Sequence, residues 1–149
     1  MKISECMSKD VCFVKPDCKL FDAARIMCEN HIGCIPVCNE ERAVVGIITD
    51  RDILLRAVAC DKATKTTPVS EIMTTNVYTC RSEKEITEAQ NLMAQNQIRR
   101  VPVVDNSNKV VGILTMGDLA RNDKKIGQQN VSTTIENICN CQGSTKNSG

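Results

Sequence analysis

The fold is decided by the stretch VVGIITDRD, residues 44–52, which returns 66 positions later as VVGILTMGD, residues 110–118. In both copies an apolar run typical of a buried β-strand leads directly into Thr-x-x-Asp, a pattern typical of the first turn of a helix. The same offset holds outward from this stretch, since Pro36 matches Pro102 without an insertion. The sequence therefore predicts two copies of one small unit, too few for a solenoid.

Within each copy, the spacing of apolar residues predicts the element order β-α-β-β-α. The first copy has predicted strands at 11–14, 34–38 and 43–49 and helices at 20–28 and 50–59. The second copy has predicted strands at 77–80, 101–104 and 109–115 and helices at 85–95 and 116–122. Beyond a polar stretch up to Val131, we expect a short helix at 133–139 with Ser132 as its cap, then disorder at 142–149.

Length and composition restrict the class of protein. The 149 residues fit one compact domain or two half-size units. The net charge is +1 and the basic residues are scattered, so we expect no nucleic-acid-binding face. No apolar run is long enough for a membrane span, and the first ten residues lack the apolar core of a signal peptide. A cytoplasmic protein without a membrane partner is expected.

Ten cysteines are many for this length, but no C-x-x-C pair occurs among them. Structural zinc sites usually show such close pairs, and Cys34 and Cys38 on one strand would lie about 13 Å apart. Three cysteines match aliphatic residues in the other copy: Cys6 with Ile72, Cys28 with Ala94, and Cys38 with Val104. The favoured interpretation is buried filler in a reduced protein without a metal site. A thiol pair or soft-metal handle at Cys139 and Cys141 stays open.

The strand-to-helix turns at residues 46–52 and 112–118, here called the first turn and the second turn, carry the strongest chemical signal. Free N–H groups at a helix start favour an anion, and a carboxylate there can accept hydrogen bonds from vicinal ribose hydroxyls. The alternative is that Thr-x-x-Asp merely caps the helix. Two equivalent copies favour a ligand site for phosphate and ribose.

Paired β-α-β-β-α units with a hydrophobic-Pro-Val strand before a G-h-h-T-x-x-D turn resemble the CBS-domain pair, or Bateman module. The resemblance is carried by residues 35–37, 101–103, 45–52 and 111–118 and extends from about Ile3 to Asn122. It implies an α/β (α+β) fold of two CBS units packed sheet to sheet. The expected division is 1–66, 67–125 and a C-terminal segment at 126–149. It also implies clefts between the units that bind AMP, ADP, ATP, NAD(H) or S-adenosylmethionine.

The resemblance also implies roles for individual residues. Asp52 and Asp118 would hold ribose hydroxyls, and Thr49 and Thr115 would line the ribose-phosphate side. Arg51 would reach a phosphate or point to solvent, and Arg100 would clamp a phosphate or form a surface ion pair. The base would lie against the strand entrances, at Cys34, Ile35, Pro36, Val101 and Pro102.

The leading functional hypothesis is a non-catalytic sensor of an adenosine-containing ligand that signals to an unidentified protein partner, as a homodimer. No required cofactor is expected. The alternatives are a cysteine-based redox or metal sensor and a ligand-free interaction scaffold. An enzyme ranks last because the sequence shows no P-loop and no catalytic set, and the single histidine, His31, is expected at a helix end.

Overall fold

The computed structural model describes residues 1–140; Cys141 and the predicted disordered tail at 142–149 lie outside the described residues. The helices are α1 (Ile3–Cys6), α2 (Leu20–Asn30), α3 (Asp50–Asp52), α4 (Ile86–Asn96), α5 (Met116–Arg121), α6 (Asp123–Ile126) and α7 (Gln128–Cys139). The strands are β1 (Cys34–Cys38), β2 (Val44–Thr49), β3 (Cys80–Arg81), β4 (Arg100–Val104) and β5 (Val110–Thr115). A π-helix, Ile53–Val58, continues α3.

The mixed α/β fold and the repeat are confirmed, because the order helix, strand, strand, helix recurs in both copies. Strands β1 and β2 form an antiparallel pair, and β3, β4 and β5 form a second sheet in that order. In both copies the last strand runs directly into a helix, as predicted: Thr49 ends β2 and Asp50 begins α3, while Thr115 ends β5 and Met116 begins α5.

The polypeptide divides into two compact units that do not coincide with the sequence repeats. Of the described residues, the first unit contains 10–77 and 106–110, and the second contains 1–9, 78–105 and 111–140. Each unit therefore includes the segment that opens the other repeat. In the second unit, Ser8 and Ile113 exchange two backbone hydrogen bonds of 2.9 and 3.0 Å; in the first, Thr74 and Ile47 make the equivalent pair at 2.9 Å.

Each unit has an aliphatic core of its own. In the first unit, fully buried Leu20, Ile35 and Ile48 bring together α2, β1 and β2. In the second unit, fully buried Ile3 and Met93 pack with residues of β4, β5 and α7. Ile3 explains why the opening segment folds onto the second unit, because its apolar side chain is removed from water in that core.

Three predicted elements are wrong. The strand at 11–14 reduces to Val14, which forms a single parallel bridge to Val37 because the neighbouring residues meet no partner strand. The strand at 77–80 is displaced to Cys80–Arg81. Residues 123–131 are largely helical rather than irregular, and Ser132 lies inside α7 instead of capping it. The reason is that Val131 and Ile138 lie on one face of a helix and are buried against α4. The polar residues between them hide this helical spacing in the sequence.

Candidate ligand-binding site

The first turn forms a complete capping box. The Thr49 Oγ1 atom accepts a 3.0 Å hydrogen bond from the Asp52 backbone N–H, and the Asp52 Oδ2 atom accepts one of 3.1 Å from the Thr49 N–H. Thr49 has an extended backbone, which is the usual state of a residue preceding a helix. The cap that the sequence left as an alternative is therefore present.

The second turn repeats the box with an added bond. The Thr115 Oγ1 atom accepts from the Asp118 N–H at 3.1 Å and also lies 3.0 Å from Asp118 Oδ2, to which its hydroxyl donates. The Thr115 N–H donates to the same Asp118 Oδ2 atom at 2.9 Å. Both aspartates are thus held in place by the threonine three residues earlier.

The structure brings each turn together with the strand entrance predicted to accompany it. Cys34 at the start of β1 is paired with Thr49 at the end of β2, and the Asp50 N–H donates to the Gly33 carbonyl at 3.0 Å. In the second unit, the Met116 N–H donates to the Arg99 carbonyl at 3.0 Å. Each unit therefore presents its Thr, its Asp and its strand entrance in one place.

The sequence predicted free N–H groups at the helix start of the first turn, but these N–H groups are already hydrogen-bonded. Within the described chain, the N–H of Asp50 is used by Gly33, that of Arg51 by Asp50 Oδ1 at 2.8 Å, and that of Asp52 by Thr49. Gly117 stands in the second turn where the first has Arg51, and its N–H lacks the side-chain acceptor that Asp50 supplies. An anion would consequently meet fewer competing acceptors at the second turn.

The two aspartates differ in how far their carboxylates are already engaged. Asp118 is buried, and its Oδ1 atom accepts a 3.1 Å hydrogen bond from Ser8 Oγ and a further one from Arg121 Nη2. The Asp52 Oδ1 atom lies 3.7 Å from the Arg56 Nη1 atom, beyond hydrogen-bond distance. Asp52 is half-buried and keeps more of its acceptor capacity.

Sequence reasoning missed three side chains at these carboxylates, namely Ser8, Arg121 and Arg56. Ser8 and Arg121 contact Asp118, whereas Arg56 lies near Asp52 and donates to Thr74 Oγ1 at 3.3 Å and to the Ile72 carbonyl at 3.0 Å. A signal was present, because Ser8 and Thr74 are hydroxyl residues at the same 66-residue offset as the turns. An arginine also follows each aspartate by one helical turn.

The predicted base-contacting residues lie on buried strands. Cys34, Ile35 and Pro36 are buried in β1, and Val101 and Pro102 are buried in β4. The side chains of Ile35 and Val101 belong to the cores of their units. Contact with a base at these two positions would thus have to come from the backbone.

The arginines and the histidine lie nearer the surface. Arg51 is exposed and Arg100 is half-buried, so both alternatives for each arginine remain predictions. His31 follows α2 in a left-handed conformation with φ 54° and closes the helix with its N–H on the Met27 carbonyl, in agreement with its predicted place at a helix end. Gln97 does the same after α4 with φ 51°.

The cysteines only partly follow the filler interpretation. Cys6, Cys34 and Cys38 are buried, whereas Cys28, Cys60 and Cys139 are exposed. Burial, followed by the charge of Asp118, raises the pKa of Cys6 to about 11, and burial raises that of Cys80 to about 12. A high pKa keeps a thiol protonated and unreactive near neutral pH.

Two further properties of the described residues bear on the kind of site. Among residues 1–140, no three side chains of the histidine, cysteine, aspartate or glutamate type converge in a way that could hold a metal ion. Over the same residues, no helix combines the length and apolar character that a bilayer crossing requires. A depression of about 300 Å³ is lined by Ala94, Gln95, Gln97, Asn137 and Asn140, none of which belongs to either turn.

Comparison with known proteins identifies the class. The CBS domain family matches residues 3–59 and 69–125, one match for each copy, so the chain belongs to the CBS domain family as a pair of CBS domains. The chain is 38% identical over 136 residues to the CBS domain-containing protein YhcV of Bacillus subtilis, covering 91% of this chain and 94% of that protein.

Solved structures of similar proteins include ligand complexes. The CBS domain pair of protein MJ0100, in complex with 5′-methylthioadenosine and S-adenosyl-L-methionine, is 30% identical with a TM-score of 0.73, covering 85% of this chain and 98% of that one. CBSX2 in complex with AMP is 27% identical with a TM-score of 0.71, covering 84% and 97%. Hypoxic Response Protein I with two coordinated zinc ions is 32% identical with a TM-score of 0.74, covering 81% and 98%.

Proposed function

We propose that this chain is a non-catalytic regulatory module that binds an adenosine-containing ligand and transmits the binding to a protein partner. The ligand class is AMP, ADP, ATP, NAD(H) or S-adenosylmethionine. Asp52 accepts hydrogen bonds from the ribose hydroxyls, and Thr49 holds Asp52 in position. Binding at this turn alters the balance between conformations of the module, which requires that the ligand prefer one of them.

The observation that carries the proposal is the Asp52 carboxylate. It stands at a strand-to-helix turn, is fixed by its bond to the Thr49 N–H at 3.1 Å, and retains an oxygen whose nearest cation is 3.7 Å away. A positioned carboxylate with spare acceptor capacity suits a pair of vicinal hydroxyls. The adenosyl and AMP complexes of CBS pairs similar to this chain support the ligand class.

The zinc-containing neighbour gives the metal-sensor alternative its support. That alternative needs several ligands in one place, and residues 1–140 of this chain supply no such group. The adenosine-ligand proposal ranks first because the Asp52 carboxylate is positioned by Thr49, and a homodimer in the cytoplasm is the expected setting.

A thermal-shift screen against AMP, ADP, ATP, NAD, NADH and S-adenosylmethionine, with Zn²⁺ tested in parallel, tests the proposal. A ligand at 100 times its dissociation constant stabilises the native state by about 2.7 kcal/mol, which raises the melting temperature measurably. The expected result is a shift with at least one compound that is absent in Asp52→Ala. A screen without any shift, or with a shift only for Zn²⁺, would reject the proposal.

A further inference from the structure

The two turns share a motif, but their carboxylates are engaged to different degrees. The Asp118 carboxylate accepts four hydrogen bonds: two from Thr115, at 2.9 and 3.0 Å, one from Ser8 at 3.1 Å, and one from Arg121. A carboxylate has about four acceptor positions, so its capacity is in use. The Asp118 side chain is only 4% exposed.

The Asp52 carboxylate, by contrast, has most of its acceptor positions unused by the described residues. One backbone N–H, that of Thr49, donates to it at 3.1 Å, and the Arg56 Nη1 atom stays 3.7 Å away, beyond hydrogen-bond distance. Arg56 donates instead to the Ile72 carbonyl and to Thr74 Oγ1. The Asp52 side chain is 12% exposed, and an oxygen remains available for a new donor.

The difference originates in residues where the repeats diverge. Arg121 follows Asp118 by three residues, and the matching position of the first repeat is Leu55. The first repeat places its arginine one residue later, at Arg56, where the chain is wound as a π-helix. The hydroxyls also differ in use: that of Ser8 is bonded to Asp118, whereas that of Thr74 faces Arg56.

We infer that Arg121 and Ser8 close the second turn, so that the chain binds one adenosine-containing ligand, at Asp52. Arg121 and Ser8 thereby determine which of the two repeats can bind the ligand. A ligand hydroxyl reaches Asp118 only by displacing Ser8 or breaking the charge-assisted bond to Arg121, the stronger kind of hydrogen bond. This inference rests on the proposed function and adds to it the number and location of sites.

Isothermal titration calorimetry of the full chain tests the inference, with AMP and S-adenosylmethionine as probes. The variants are Asp52→Asn, Asp118→Asn and Arg121→Leu, the last introducing the residue type of the first repeat. The Arg121 side chain is 68% exposed, so its replacement leaves the core intact. The matched control is Arg25→Leu, at an arginine that is 64% exposed and pairs with Glu29.

The expected result is one site per chain, lost in Asp52→Asn and kept in Asp118→Asn and Arg25→Leu. Arg121→Leu is expected to bind a second molecule, and adding Asp118→Asn to it removes that second site. Two equal sites in the unmodified chain, or a single site in Arg121→Leu, would overturn the inference and leave the proposed function standing. Binding that depends on Asp118 rather than Asp52 would overturn both the inference and the assignment of the ribose to Asp52. Binding of neither probe to any variant would overturn the inference, and the absence of a thermal shift with all six compounds of the screen would refute the proposed function as well.

Discussion

Met7, near the start of the chain, lies directly over Gly112 in β5: a Cβ added to Gly112 would stand 2.5 Å from the Met7 Sδ atom and 2.9 Å from the Ser8 carbonyl oxygen. Met73 lies over Gly46 in the same way in the other unit. These contacts seat each opening segment on the strand that leads to a turn. Glycine is required at Gly112 because a backbone carbonyl approaches it closely, whereas at Gly46 the close neighbour is the Met73 side chain.

Gly112→Ala should destabilise the protein by about 1–3 kcal/mol, the usual cost of overpacking a filled core. Gly46→Ala should cost less, because its added methyl group meets the flexible Met73 side chain alone, whereas at Gly112 a backbone carbonyl also stands in the way. Urea unfolding of the two variants measures the difference. Met73→Ala should recover part of the loss in Gly46→Ala and none in Gly112→Ala; equal costs at both glycines would contradict this packing.

Ile3→Ala should lower the free energy of unfolding by about 2–5 kcal/mol, as for other fully buried aliphatic residues. Chain ends usually tolerate substitution, but Ile3 is completely buried, and its N–H donates to the Lys84 carbonyl at 2.9 Å. Chemical denaturation compared with the exposed-site control Lys9→Ala checks this prediction. A loss below about 1 kcal/mol would mean that the opening segment is not part of the second unit's core.

Stability should decline in alkaline solution because two thiols stay protonated in the folded state. The pKa of Cys6 is raised to about 11 and that of Cys80 to about 12, against an ordinary value of 9.0. As the pH rises, the thiols of the unfolded chain lose their protons first. The stability that the two protonated thiols contribute to the folded state is therefore fully present below pH 9.0 and is lost as the pH rises through 11 to 12. Urea midpoints at about pH 8 and about pH 10 should therefore differ.

The control is the double variant Cys6→Ala, Cys80→Ala, whose midpoint should change less between the two pH values. An unchanged pH dependence in that variant would assign the effect to other groups. The comparison is best made in reducing buffer, so that oxidation of the exposed Cys28, Cys60 and Cys139 does not contribute.

Native thiol counting should separate the cysteines by exposure. In a Cys141→Ser background, Cys28, Cys60 and Cys139 should react with a thiol reagent within the mixing time, while Cys6, Cys34 and Cys38 should react only on unfolding. Rapid modification of the buried thiols would show that the aliphatic cores open readily and would favour the redox-sensor alternative.

The repeat and the turns were predictable from the sequence because they depend on local pattern. A buried strand that ends in Thr-x-x-Asp has few local alternatives, and both capping boxes form where the pattern indicates. The single bridge at Val14 was not predictable, since strand pairing depends on where a partner runs. Helix α7 was missed because its apolar residues are separated by polar ones and gain their burial only against α4.

The asymmetry of the two aspartates was also beyond sequence reasoning. Asp52 and Asp118 occupy equivalent positions in the repeat, and the local divergence at Leu55 and Arg121 does not by itself show which carboxylate an arginine contacts. The difference comes from Ser8, distant in sequence, and from the placement of Arg121 relative to Arg56 on their helices. Contacts between segments that are distant in sequence can be identified only from the folded structure.

The most direct test of the central claim is to compare the affinity of adenosine with that of 2′,3′-dideoxyadenosine for the unmodified chain and for Asp52→Ala. Hydrogen bonds to a charged group contribute about 1.5–3 kcal/mol, so removal of the hydroxyls should weaken binding to the unmodified chain by about tenfold or more. In Asp52→Ala the two compounds should bind with nearly equal affinity. A preference for adenosine that persists in Asp52→Ala, or that is absent from the unmodified chain, would contradict recognition of the ribose by Asp52.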